Sequence, residues 1–284
     1  MRSDNVTASP TFTLGPALLF CPADRPDRYR KALDRADAVI LDLEDAVAPD
    51  RRIDARVSVV DTLLDPERTI VRINPFGTAD FDSDLRMLRD TPYRYVMLAK
   101  ANSTVDFTVL DGFTVLALCE TAAGVVDAAR VAAAPNVGAL MWGAEDLVAS
   151  MGGTASRGDD GRYRAVITQA RATVAFAAAA HGAAMIDAVY LDITDHSGLA
   201  EEARDAAALG FVGTACIHPS QADVIRAAYR PTEAEVTWAH GVVSAVAQAG
   251  GGVARFDGRM VDGPILRHAE SILRRAAGQL SGTA

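Results

Sequence analysis

From residue 17 to 217 the chain alternates short apolar runs with longer stretches whose apolar positions recur at helical spacing. The runs are Ala17–Cys21, Ala38–Asp45, Thr69–Asn74, Tyr95–Leu98, Thr114–Cys119, Val137–Trp142, Ala184–Tyr190 and Phe211–Ile217. Runs of this length, apolar on both faces, suit the strands of a parallel sheet covered by helices. Helices are predicted over Pro49–Leu64, Phe81–Arg89, Val105–Leu110, Val166–Ala180 and Ser197–Leu209, the last stopped by Gly210. Another follows the turn at 22–28, with Asp24 or Asp27 as its cap and Pro26 in its first turn, and another starts at Pro219. Eight strands, nearly all followed by a helix, with no break in composition before about Arg230, is the order of an α/β fold, a (β/α)8 TIM barrel. Residues 1–230 are read as this βα barrel catalytic domain, opening with loose chain up to Gly15. Residues 231–284 are read as a C-terminal helical extension: a helix over Glu233–Gln248, a glycine-rich link at 250–252 and a last helix to about Ala277. The glycines ahead of that helix suit a movable flap or lid, and equally a tail docked on the barrel.

Barrels of this kind place their chemistry where strands give way to helices. Glu120 ends the run Thr114–Cys119, and Asp146 follows Val137–Trp142 through Gly143, Ala144 and Glu145. Two carboxylates on neighbouring strand ends suit a hard divalent cation, magnesium, which keeps waters and substrate oxygens at its other positions. The same acids would also sit well, without a metal, at the positive N-termini of the following helices. Upstream, Asp42 interrupts an apolar run and points into the barrel, while Glu44 and Asp45 reach its rim. Arg72 stands among β-branched residues, where an unpaired guanidinium is costly. An ion pair to Asp42 or Glu44 would satisfy it, and so would a forked grip on a substrate carboxylate. The glycine- and serine-rich stretch Ser150–Gly161 is long enough to be an active-site or interface loop.

The net charge of −9 argues against nucleic acid and anionic membranes as partners, so an anionic ligand must find a local arginine cluster. Arg25, Arg28, Arg30, Lys31 and Arg35 form the most basic short stretch, either a solvated helix face or a rim that grips phosphate. Lys31 and Lys100 are the only lysines among 28 basic residues, and Lys100 ends the fourth strand. Cys21, Cys119 and Cys216 lie in strand-like runs without metal-ligand spacing and are read as reduced core thiols. No apolar run approaches the roughly 18 residues of a membrane span. The polar opening lacks a basic region followed by an apolar one, so no secretory signal is read and the expected location is cytoplasmic.

Seven stretches, in this order, together resemble the citrate lyase beta-subunit-like proteins of the HpcH/HpaI aldolase superfamily. They are 19–26 (LFCPADRP), 41–45 (LDLED), 71–74 (VRIN), 119–121 (CET), 142–147 (WGAEDL), 216–221 (CIHPSQ) and 260–264 (MVDGP). The resemblance implies a magnesium-dependent carbon–carbon lyase, usually trimeric. Such an enzyme reversibly cleaves a 3-hydroxyacyl-CoA thioester of the citramalyl, malyl or citryl type into acetyl-CoA or a short acyl-CoA and a 2-oxoacid. It implies Glu120 and Asp146 as metal ligands, Arg72 and the backbone at Gly143 and Ala144 as holders of the oxoacid carboxylate, and Arg25 near the coenzyme A phosphates. Asp262 matches an acid/base donated by a neighbouring subunit, and Glu44 or Asp45 would hold a water or take the hydroxyl proton. Two departures stand out: Thr214 replaces a lysine frequent in relatives, and Ala99-Lys100-Ala101-Asn102 replaces Pro-Lys-Ala-Glu. Two rivals are a Schiff-base aldolase using Lys100 with a lowered pKa, and a non-autonomous subunit of a citrate lyase complex.

Overall fold

The computed structural model describes residues 12–280; the part of the expected loose opening that covers residues 1–11 lies outside them. Eight strands close a parallel barrel in sequence order: β1 (Ala17–Pro22), β2 (Ala38–Asp42), β3 (Thr69–Ile73), β4 (Tyr95–Leu98), β5 (Thr114–Cys119), β6 (Val137–Trp142), β7 (Ala184–Asp187) and β8 (Gly213–Cys216). The helices around it are α1 (Pro26–Arg35), α2 (Arg52–Asp61), α3 (Ala79–Arg89), α4 (Ala122–Val126), α5 (Ala128–Ala132), α6 (Ala144–Ser150), α7 (Ala165–His181), α8 (His196–Leu209) and α9 (Pro219–Tyr229). The interior is packed by Leu18, Ile40, Ile70, Met97, Leu116, Ala139, Ile186 and Ala215, with Leu118 and Met141 also in the cluster. Side chains alternate faces along a strand, so Asp42 lies two residues beyond Ile40 on the inner face, as Arg72 does beyond Ile70. Register sets these two side by side, Asp42 opposite Arg72. It also pairs Cys119 with Trp142, which brings Glu120 level with Gly143.

Several expectations need correction. Phe12 and Leu14 are buried in the interior cluster, and Phe12 meets the Tyr95 ring edge-on at 5.8 Å, so the chain just before Gly15 is not loose. An open barrel end exposes apolar side chains, and these two residues cover some of them. Neither Asp24 nor Asp27 caps α1; Pro26 starts it, and Asp27 accepts from the Arg25 guanidinium instead. The predicted helix at 105–110 is a single 3₁₀ turn, Phe107–Leu110, with Asp106 accepting from the Thr108 N–H. β7 and β8 are shorter than their apolar runs: β6 pairs with Ala184, Met185 and Ile186 of β7, and β1 pairs with Thr214, Ala215 and Cys216 of β8. Phe211 lies just past α8 and closes its end, its N–H donating to the Ala206 carbonyl.

The chain divides into two compact units, one up to Ile225 and one from Arg226. The second unit contains α10 (Glu233–Gln248), the hairpin β9 (Ala254–Phe256) and β10 (Arg259–Val261), and α11 (Gly263–Leu280). Thr232 and Glu235 form a reciprocal capping box at the start of α10. Asp257 and Gly258, at φ 46° and 74°, make the tight turn that two positive φ angles allow. Val242, Val246, Val261, Ala269 and Ile272 form its core, and a side chain at Gly241 would begin 2.2 Å from the Phe256 ring. Among the described residues no helix is long and apolar enough to cross a membrane.

Candidate active site

Where β2 and β3 end, Arg72 donates from Nε and Nη2 to the two oxygens of Asp42, both at 2.6 Å. Asp42 also accepts the backbone N–H of Glu44 at 3.0 Å and of Ala46 at 3.2 Å, so one carboxylate fixes both the arginine and the loop after β2. The ion-pair reading of Arg72 therefore holds, and its side edge is committed. Its end faces the acids of the loop after β2, with Nη1 3.2 Å from Glu44 Oε2 and 3.8 Å from Asp45 Oδ2. The Arg72 guanidinium also faces the Phe20 ring at 5.0 Å.

Glu120 is 3% exposed and accepts the Lys100 backbone N–H at 3.1 Å. Burial first, then the Asp146 charge, push its carboxyl up to about 8 against the pull of Arg72 and Lys100. A buried acid raised by a second acid is short of positive charge, which a divalent cation would supply. Gly143 leaves the space: a Cβ there would lie 3.0 Å from Glu120 Cβ and 3.2 Å from Glu120 Oε2. Among the described residues no three acids, histidines or cysteines converge as a metal cage. Two carboxylates beside an open cavity fit magnesium, which keeps several waters or substrate oxygens. Gly143→Ala is expected to weaken Mn²⁺ binding, measured by calorimetry, by roughly tenfold, the scale of a disturbed ligand orientation.

Lys100 has φ 53°, a left-handed backbone rare outside glycine. Its Nζ hydrogen-bonds Glu44 and lies 3.7 Å from Asp45 and 3.6 Å from Asp146. Burial pulls its pKa down, but the hydrogen bond and charge of Glu44 outweigh this and leave it pushed up to about 12. The lowered pKa expected for a Schiff-base lysine is thus reversed, and a protonated amine cannot attack a carbonyl. Borohydride added with an oxoacid is expected to leave the protein mass unchanged.

A cavity of about 420 Å³ gathers Asp42, Asp45, Arg72, Glu120, Gly143, Ala144 and Asp146 on its wall. Glu44 reaches it through Arg72 and Lys100. Arg25 lies in the turn after β1, paired with Asp27 and exposed. Asp262 belongs to the second unit, between β10 and α11, where the Ile265 N–H approaches its Oδ1 at 3.5 Å. The sequence reading left Arg157 and Tyr163 unassigned, yet both line this cavity from the loop between α6 and α7. Arg157 falls within the stretch 150–161 marked out by its length and composition, and Tyr163 lies just beyond it. The loop is pinned by Ser156, whose Oγ donates to Glu145 at 2.6 Å, and by the Tyr163 ring set edge-on to Trp142 at 5.3 Å.

Residues 17–219 match the family model described as HpcH/HpaI aldolase/citrate lyase. A citrate lyase subunit beta-like protein of Mycobacterium tuberculosis is 55% identical over 263 residues, covering 92% of this chain and 96% of that protein. The human mitochondrial citramalyl-CoA lyase is 30% identical over 293 residues, covering 92% of this chain and 85% of that protein. Among solved structures, CitE of M. tuberculosis in complex with magnesium, acetoacetate and coenzyme A superposes with a TM-score of 0.88. It is 53% identical, covering 93% of this chain and 98% of that one.

Proposed function

The chain belongs to the HpcH/HpaI aldolase/citrate lyase family, and from that premise we propose that it is a magnesium-dependent carbon–carbon lyase. Its substrate is a 3-hydroxyacyl-CoA thioester of the citramalyl, malyl or citryl type, cleaved reversibly to a 2-oxoacid and acetyl-CoA or a short acyl-CoA. The observation that carries this reading is the meeting of Glu120, Asp146 and Arg72 on the wall of one cavity.

Glu120 and Asp146 would hold the magnesium ion. Bound there, it supplies Lewis-acid polarisation of the substrate's hydroxyl and carboxylate oxygens. The Nη1 end of Arg72, which Glu44 approaches at 3.2 Å, turns to the oxoacid carboxylate and orients it, a matter of positioning rather than bond-making. The backbone at Gly143 and Ala144, where α6 begins, contributes to the same grip. Glu44 or Asp45 takes the hydroxyl proton. As the hydroxyl becomes a carbonyl, the carbon–carbon bond breaks and its electron pair passes to the carbon beside the thioester. Asp262, offered by a neighbouring copy in a trimer or a multiple of it, returns a proton to that carbon. Arg25 meets the coenzyme A phosphates. The acidic net charge suits an enzyme of the cytoplasm without nucleic-acid or membrane partners.

The test is to incubate the purified chain alone with acetyl-CoA or propionyl-CoA, Mg²⁺ and a panel of 2-oxoacids, and to follow hydroxyacyl-CoA by mass. Product that vanishes with EDTA is expected. No product with any pair would sink the reading, and activity that returns only with further subunits would favour the role inside a larger complex.

A further inference from the structure

The cavity that holds Glu120, Asp146 and Arg72 has a second arginine on its wall, Arg157. Its guanidinium donates to both oxygens of Glu202 on α8, Nη1 at 2.5 Å and Nη2 at 3.0 Å, and Nη1 also donates to the Gly161 carbonyl at 2.9 Å. It lies over the Tyr163 ring, 3.7 Å from the centroid, and 5.0 Å from that of Tyr190. Its donors are therefore turned to Glu202 and the loop, and its faces to two aromatic rings. Much of the remaining wall is apolar, with Phe20, Leu118, Met141 and Val189 among its side chains. Five carboxylates and two guanidiniums line the cavity, so even a divalent cation leaves it net negative.

An oxoacid with one carboxylate needs one cationic grip beside the metal, and Arg72 provides it. A second carboxylate on the same oxoacid would face apolar side chains or like charge, because Glu202 takes both Nη groups of the other guanidinium, whereas Asp42 takes only the Nε–Nη2 edge of Arg72. The geometry points to a specificity clamp: Glu202 holds Arg157 back, and the site selects a 2-oxoacid with a single carboxylate and a small apolar substituent over a dicarboxylic one. This rests on the proposed lyase reading for the identity of the ligand, and on the position of Glu202, outside the reacting groups, for the selectivity.

The experiment compares pyruvate with oxaloacetate on the full chain with Mg²⁺. Calorimetry gives the affinity for each acid, and condensation with acetyl-CoA gives kcat/KM. At least a tenfold preference for pyruvate is expected in both. Glu202→Gln keeps the side chain's size but frees Arg157, and should narrow the preference at least fivefold by improving oxaloacetate. Glu202→Gln with Arg157→Gln should restore the preference. Melting curves verify folding, and the wild-type ratio tests the selectivity by itself. Equal affinities for the two acids in the wild type, or a ratio unmoved in folded Glu202→Gln, would overturn the clamp. Selective binding of pyruvate with no condensation would support the clamp and count against the lyase reading instead.

Discussion

Asp146→Asn and Glu120→Gln are each expected to lower kcat by roughly a thousandfold or more, because several kcal/mol of metal stabilisation are at stake and each 1.36 kcal/mol is a decade. The two variants should differ in how they respond to pH. In the wild type, burial and Asp146 push the Glu120 carboxyl up to about 8, so a cation entering at neutral pH must displace a proton. Mn²⁺ affinity should therefore climb up to about tenfold per pH unit toward pH 8 and level off above it. Glu120→Gln abolishes that slope. Asp146→Asn moves it to lower pH, since the larger of the two charges that raise Glu120, Asp146 ahead of Glu44, is gone. Stability follows the same linkage with its own sign. The unfolded carboxyl titrates near 4.5, so between about pH 4.5 and 8 the folded chain binds the extra proton. The metal-free protein should lose stability as pH rises through that window, and added Mg²⁺ should raise its Tm more at pH 8 than at pH 6. A wild-type metal affinity flat from pH 6 to 8 would show that Glu120 is not the proton-linked ligand.

What could be read from the chain, and what could not, follows from how far apart the interacting residues lie. Glu120 and Asp146 were visible because each ends its own apolar run, and a strand end needs no partner to be recognised. Asp42 was visible as a charge inside such a run. Its meeting with Arg72 is legible only as one of two candidate pairings, Asp42 or Glu44, since strand register across 30 residues decides it and no local signal carries register. Lys100 shows the same limit from the other side. A lysine at a strand end suggests a nucleophile, but Glu44 and Asp45 from beyond β2 and Glu120 from the end of β5 reverse the direction of its pKa. Arg157 and Tyr163 lie in a stretch without periodicity and reach the cavity only because a loop folds back, with Arg157 bridging to Tyr163 as it does so. The lengths of β7 and β8 depend on what their neighbours β6 and β1 pair with, which again is not written in either run.

Asp42→Ala is expected to destabilise the protein by about 3–5 kcal/mol, the range for breaking a buried ion pair from one side. The guanidinium it leaves behind is 7% exposed and loses two hydrogen bonds of 2.6 Å, and the Glu44 and Ala46 N–H groups lose their acceptor. For a chain of this size that is a fall in Tm of roughly 10 °C. Activity should fall further than stability explains, at a temperature where the variant is still folded. Freed from Asp42, Arg72 can turn its fork to Glu44 and Asp45, which already approach Nη1, and the oxoacid loses the end of the guanidinium that would orient it. A rise in KM for the oxoacid is expected, together with a drop in kcat/KM of at least about a hundredfold, the scale of a misplaced reactant. The double variant Asp42→Leu with Arg72→Met separates the two roles. Replacing both partners of a buried pair by apolar side chains of similar size is often neutral for stability, so the Tm should recover. Turnover should not recover, because no guanidinium remains to hold the carboxylate. If the double variant regains activity along with its Tm, Arg72 serves the fold alone and the oxoacid must be gripped by another group.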